Sequence, residues 1–185
     1  IGKMIMSNIA FIASRSVNAQ KSLLALEKIH GNTPIEKADI IVALGGDGFM
    51  LEALHSTFHL NCPVYGMNRG TVGFLMNEYS SDDLLKRLND AEEAVIHPLK
   101  MQAQCTNNVD VEALAINEVS LIRAGAQAAK LQISVDGRIR LPELVCDGAL
   151  LSTPAGSTAY NYSAHGPILP IGAEILAMTA MSAFR

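Results

Sequence analysis

The sequence predicts an α/β N-terminal domain with a parallel, Rossmann-like sheet, followed by a β-rich second domain that is C-terminally incomplete. Three observations carry this. Apolar runs alternate with helix-like stretches from residue 8 to about 97. From about Leu99 onward strand signals dominate. The residues before the end at Arg185 (Ile168, Leu169, Ile171, Ile175, Leu176, Met178, Met181, Phe184) are mostly apolar and look built to be covered. The expected division is 1–97 and 98–185, with the seam near His97-Pro98.

In the first domain, Ile9-Ala10-Phe11-Ile12-Ala13 reads as a strand. Ser16 can cap a helix with apolar residues at Leu23, Leu24, Leu26 and Ile29, stopped by Gly31. The run Ile40-Ile41-Val42-Ala43-Leu44 predicts a buried strand, and its helix spans about 47 to 58. Pro63 to Met67 is a third strand. Ser80-Ser81-Asp82-Asp83 is expected to start a further helix, with acids in its first turn and Lys86 and Arg87 later, as the helix dipole favours. Alternation of this kind implies parallel strands with right-handed crossovers. Ligands then sit beyond the carboxyl ends of the strands, where Gly45–Gly48 and Asn68–Gly73 fall.

In the second domain, Glu112 to Ile122 reads as one long strand. Leu131–Val135 and Arg138–Arg140 flank Asp136-Gly137, a type I′ hairpin signal. Leu144–Cys146 and Ala149–Leu151 are further strands, and a helix begins near Gly156. This half is expected to be antiparallel or mixed.

Composition excludes several classes. The chain has 185 residues, 49% hydrophobic and 17% charged, enough for real cores and too apolar for disorder. A net charge of −4 with no basic patch argues against nucleic acid as the main partner. No apolar stretch approaches ~18 residues, so no membrane span is expected. Ile1-Gly2-Lys3-Met4-Ile5-Met6 is too short and mixed for a signal peptide. Cys62, Cys105 and Cys146 form no Cys-x-x-Cys pair, which fits a reducing, cytoplasmic setting. His55 and His59 stand four apart but lack a third ligand, so no protein metal site is expected.

Chemistry concentrates in three places. In Leu44-Gly45-Gly46-Asp47-Gly48-Phe49 a strand enters a glycine-rich turn and a helix starts from it. Glycines allow close backbone approach, and the helix start offers free N–H groups and a positive dipole end, which suit phosphate. Asp47 adds a carboxylate there. It repels phosphate unless it binds a metal or takes a proton from a hydroxyl, and that tension points to phosphoryl transfer. The plainer alternative is a tight turn with a helix-capping Asp. The second place is Asp147-Gly148 through Ser152-Thr153-Pro154-Ala155-Gly156-Ser157-Thr158-Ala159-Tyr160. Capping and turn formation explain its hydroxyls but not their combination with Asp147 and Tyr160. Sugar hydroxyls and an aromatic base would need such groups. The third is Asn117-Glu118, an amide and a carboxylate in a strand-like run; an exposed strand end or β-bulge is the alternative.

In this order the motifs Gly45-Gly46-Asp47-Gly48, Asn68-Arg69-Gly70-Thr71-Val72-Gly73-Phe74-Leu75, Asn117-Glu118-Val119-Ser120 and Ser152 to Tyr160 resemble the NAD kinases. The resemblance runs from about residue 8 to the end. Gly-Gly-Asp-Gly alone also occurs in lipid kinases and phosphofructokinases; the Ser-Thr-Pro-x-Gly-Ser-Thr-Ala-Tyr segment is the specific one.

The resemblance implies transfer of the γ-phosphate of ATP, or of polyphosphate in some members, to the 2′-hydroxyl of the adenosine ribose of NAD, giving NADP. It makes Asp47 the candidate general base. Gly46 and Gly48 lie beside the phosphates and Phe74 borders adenine. Asn117 and Glu118 hold ribose hydroxyls and adenine, and Asp147 contacts the nicotinamide side. Ala155, Thr158, Ala159, Tyr160, Asn161 and Ser163 line the dinucleotide site. It further implies Mg²⁺ with ATP, NAD and ATP as partners, and a homo-oligomer. Three departures stand out: Ala155 where Thr is common, Cys146 before Asp147 where Gly is common, and Ala164-His165-Gly166 in place of a small-Gly-Gly run. Family members usually continue some tens of residues further, so a fragment or truncation is expected. Two other classes stay open: a diacylglycerol-type lipid kinase of related architecture, and a non-catalytic dinucleotide-binding module.

Overall fold

The computed structural model describes residues 8–70 and 73–184. Thr71 and Val72 of the second motif, the expectations placed on residues 1–7, and Arg185 lie outside the described residues. The chain divides into two compact units, residues 1–93 and 94–185.

The first unit is built on a three-stranded parallel sheet, β1 (Ile9–Ala13), β2 (Ile40–Gly45) and β3 (Val64–Asn68), in the order β1-β2-β3. Every residue of β2 is buried, which is why its sequence is a continuous apolar run rather than an alternating one. Its side chains still alternate between faces. Ile40, Val42 and Leu44 join Ile9 and Phe11 of β1, Ala19 and Leu26 of helix α1 (Val17–His30), and Leu84 and Leu88 of helix α3 (Leu84–Asp90). Ala43 joins Met50 and Ala53 of helix α2 (Asp47–Thr57) on the other face. Full burial of side chains such as Leu44 contributes about 1.5–3 kcal/mol each.

α1 starts where expected: Ser16 Oγ accepts from the Ala19 N–H at 3.2 Å, and Gly31 N–H closes the helix on Glu27 O at 2.8 Å. Its buried face is Ala19, Ser22 and Leu26, however, and Leu24 and Ile29 are exposed. Spacing i, i+3, i+7 selects this face over the longer apolar run. The helix expected from Ser80-Asp83 begins later, at Leu84. Asp83 adopts φ +53°, the left-handed region, and no acid lies in the first turn. The sequence from Ser80 to Asp83 therefore forms a turn before the helix.

The second unit is all antiparallel in its pairings. β4 (Leu99–Gln104) pairs with β5 (Asp110–Ala115), and β7 (Ala129–Val135) with β8 (Arg138–Cys146). β6 (Glu118–Ile122), β9 (Gly148–Ser152) and β10 (Ala177–Met181) form a sheet with β9 in the middle. Asp136 and Gly137 have φ +51° and +73°, as a type I′ turn requires. The expected strand from Glu112 to Ile122 is two strands, broken at Ile116-Asn117. Arg138–Arg140 and Leu144–Cys146 instead merge into one strand, β8. Pro142 is tolerated there because β8 has a partner on one side only. Near Gly156 the chain makes one 3₁₀ turn (Ala155–Thr158), then the short helix α4 (Tyr160–Ser163).

Candidate functional site

In the first unit, β2 delivers the chain into the glycine turn. Gly46 is the N-cap of α2 in extended backbone, and Asp47 is its first residue. A side chain at Gly46 or Gly48 would meet no atom within 4 Å, so space lies open beside the helix start. The Asp47 carboxylate is held on both oxygens. Oδ2 accepts from the Phe74 N–H at 2.8 Å and Oδ1 from the Leu75 N–H at 3.0 Å. A Cβ at Gly73 would overlap that carboxylate, so only glycine lets the segment lie flat on it. Arg69 N–H donates to Gly45 O at 2.7 Å and Asn68 Oδ1 accepts from the Gly70 N–H at 2.8 Å, anchoring the preceding turn against Gly46. The structure thus brings Gly46, Asp47, Gly48 and Phe74 together; Phe74 is exposed.

In the second unit the break at Ile116-Asn117 is the organising point. Thr153 Oγ1 donates to Ile116 O at 2.6 Å, and Thr153 N–H to Asn117 O at 2.9 Å. Gly156 lies directly on the Asn117 carbonyl, where a Cβ would collide with backbone. This clamp fixes the backbone of Asn117 and leaves its side chain spare. Asn117 Oδ1 and Glu118 Oε2 are buried without hydrogen-bond partners. Burial also raises the Glu118 carboxyl above its ordinary range. Buried acceptors of this kind cost free energy unless something donates to them. They are the clearest sign in this unit of a hydroxyl- or amine-bearing ligand.

The remaining expected residues are placed separately. Ala155 lies buried within the clamp, between Thr153 and Gly156, and Thr158, Ala159 and Tyr160 follow it, with Tyr160 exposed. Ser163 lines an open hollow of about 530 Å³ with Tyr162, His165 and Gly166. Asn161 is fully buried with its amide already used. Nδ2 donates to Ser157 O at 3.2 Å and Pro167 O at 2.8 Å, and Oδ1 accepts from Thr179 Oγ1 at 2.7 Å. Its side chain ties the turn to β10 rather than facing out. Asp147 sits just before the other end of β9, five residues from Ser152, which pairs with Glu118. That is roughly 17 Å along an extended strand. It is ion-paired there with Arg123, Nε to Oδ1 at 2.5 Å. The Arg123 hydrogen bond lowers the Asp147 carboxyl below its usual range, with help from Ser182.

Local sequence pointed to neither Arg123 nor Thr179 nor the two N–H groups that hold Asp47, and it gave Thr153 only as part of the hydroxyl-rich motif, without its partners. In that order, their partners lie 24, 18, 27 or 28, and 36 or 37 residues away. No local pattern encodes such pairs.

Known proteins place the chain. Residues 13–109 match the ATP-NAD kinase N-terminal domain and residues 116–184 the ATP-NAD kinase C-terminal domain. An NAD kinase of Cereibacter sphaeroides is 60% identical over 182 residues, covering 98% of this chain and 72% of that protein. One of Caulobacter vibrioides is 59% identical, covering 97% and 69%. Among solved structures, yeast NADH kinase complexed with NADH aligns with TM-score 0.77 at 21% identity, over 99% of this chain and 68% of that one, a likeness of fold. An Archaeoglobus fulgidus NAD kinase in complex with ATP aligns with TM-score 0.71 at 25% identity, over 96% and 73%. With both family domains matched in order, and relatives near 60% identity spanning nearly its whole length, the chain belongs to the NAD kinase family.

Proposed function

We propose that this chain transfers the terminal phosphoryl group of ATP to the 2′-hydroxyl of the adenosine ribose of NAD, making NADP. The lipid kinase and the non-catalytic module are not favoured, because the relatives are NAD kinases across both domains. The observation that carries the chemical reading is the Asp47 carboxylate, held by two backbone N–H groups at the open start of α2. There it accepts the hydroxyl proton, and Gly46 and Gly48 leave room for the phosphates. Asn117 Oδ1 and Glu118 Oε2 accept hydrogen bonds from ribose hydroxyls and the adenine amine, which supplies their missing donors. Phe74 borders adenine. Asp147 lies toward the nicotinamide, and Ala155, Thr158, Ala159, Tyr160 and Ser163 line the dinucleotide. Asn161 supports that lining from behind.

A divalent cation fits as part of the nucleotide substrate. Among the described residues no three His, Cys, Asp or Glu side chains gather into a cage. The ion would therefore be held mainly by phosphate oxygens and water, and it supplies charge neutralisation for the transferring group. The proposed division of labour is residues 1–97 for phosphate chemistry and 98–185 for the acceptor. Exposed Leu121, Ile122, Ile171 and Met178 favour a homo-oligomer, and three free cysteines favour a reducing, cytoplasmic compartment. Among the described residues no helix is long and apolar enough to cross a membrane.

The test is incubation with ATP, Mg²⁺ and NAD, and in parallel with a diacylglycerol. NADP formation is expected. Binding of NAD without turnover, or phosphatidate as the product, would overturn the reading.

A further inference from the structure

We infer that Arg123 is a specificity-determining positioning residue. By pairing with Asp147 it makes the nicotinamide end of the site tolerant of both the oxidised and the reduced dinucleotide. The inference rests on the proposal that Asp147 lies toward the nicotinamide.

The geometry is a two-point grip. Arg123 N–H donates to Asp147 O at 2.9 Å, and Arg123 Nε to Asp147 Oδ1 at 2.5 Å. A further guanidinium N–H donates to Gly125 O, which fixes the head group from behind. On the other side Asp147 N–H donates to Met181 O at 2.9 Å. Strand register explains the arrangement. β9 pairs with β6 through Gly148–Ile122 and with β10 through Gly148–Met181. Asp147 is therefore the next residue out from the middle strand, held between the ends of both neighbours.

The charge argument follows. The nicotinamide ring of NAD is a cation, and that of NADH is neutral. A bare carboxylate beside the ring attracts the first and not the second. A carboxylate already paired with a guanidinium is close to neutral and discriminates little. The pair is about one-third exposed on each side, so the effect is that of a solvent-screened charge. Removing it shifts selectivity several-fold rather than by orders of magnitude.

The experiment measures kcat/KM for NAD and for NADH with the full chain, ATP and Mg²⁺. Arg123→Gln is expected to raise the NAD over NADH ratio about fivefold, chiefly through KM. Arg123→Lys should restore the original ratio, and Asp147→Asn should abolish the effect of Arg123→Gln in the double variant. A purely structural role would lower both substrates together, with a matching drop in Tm. An unchanged ratio in Arg123→Gln, where Asp147→Asn alone does alter acceptor KM, overturns the inference and leaves the placement of Asp147 standing. If Asp147→Asn alters KM for neither acceptor, the placement of Asp147 fails and the inference falls with it.

Discussion

The two units bury different chemistry. Among the described residues the first holds fifteen of the twenty buried hydrophobic side chains, from Ile9 to Leu88; the second holds Ile116, Cys146, Leu150, Ala155 and Ala177. For buried polar residues the balance reverses. The first unit has Ser22 and Thr57, and the second has Ser152, Thr153, Ser157 and Asn161. An apolar two-faced core therefore carries Asp47, and a hydrogen-bonded polar knot carries Asn117 and Glu118. Apolar packing gives a rigid frame on which one carboxylate can be aimed. A polar knot sets its members' orientation by donor and acceptor pairing, so any member left unpaired is available to a ligand.

The comparison predicts that damage in the first unit appears in kcat and damage in the second in acceptor binding. The largest effect is expected at Asp47. Asp47→Asn should lower kcat by ~10²–10⁴-fold with NAD affinity largely kept. Near wild-type kcat in that variant would remove Asp47 from the chemistry.

Gly73→Ala comes next. Its methyl group would overlap the Asp47 carboxylate, and a displacement of ~1 Å can cost about 10²-fold. Steady-state kinetics should show the loss in kcat with KM for NAD little changed. A fall confined to KM would show that the segment serves the acceptor instead.

Two asparagines of the second unit sharpen the contrast. Asn117 has a free Oδ1, whereas the amide of Asn161 is fully paired. Asn117→Ala should weaken NAD binding by ~1–3 kcal/mol in calorimetry with little change in Tm. Asn161→Ala should instead lower stability by ~1–3 kcal/mol, because it strands the Thr179 hydroxyl and two carbonyls. Equal Tm losses in both variants would contradict the distinction.

The smallest effect is a pH dependence. Burial raises the Glu118 carboxyl above its ordinary value of 4.5, so the folded chain keeps that proton longer than the unfolded one. Stability from this group is full below about 4.5 and is lost as pH rises through the raised folded value. Glu118→Gln should therefore raise Tm at pH 8, by about 1–2 °C given partial exposure to solvent, with no gain at pH 4. A Tm difference independent of pH would count against buried ionisation. NAD affinity should fall in the same variant.

The alternation of strand and helix through residue 70, the capping by Ser16, the type I′ turn at Asp136-Gly137 and the glycine turn before α2 were legible in the amino-acid sequence alone. Each depends on residues within one turn or one strand of each other, so composition and spacing determine it. The membership of the kinase motifs was legible for the same reason, since each motif is contiguous. At two of the places where the structure departs from the sequence expectation, a distant partner takes part in the decision. The strand break at Asn117 is imposed by Thr153 and Gly156, and α3 begins at Leu84 because Leu84 and Leu88 meet the core of β2. Only the tertiary structure decided that Asn161 is saturated, that Asn117 and Glu118 keep unpaired acceptors, that Gly73 to Leu75 clasp Asp47, and that Arg123 neutralises Asp147. Hydrogen bonds and ion pairs act across a few ångströms of space regardless of separation along the chain. Their partners are therefore set by how distant segments of the chain are brought together, and the residues flanking either partner do not name the other.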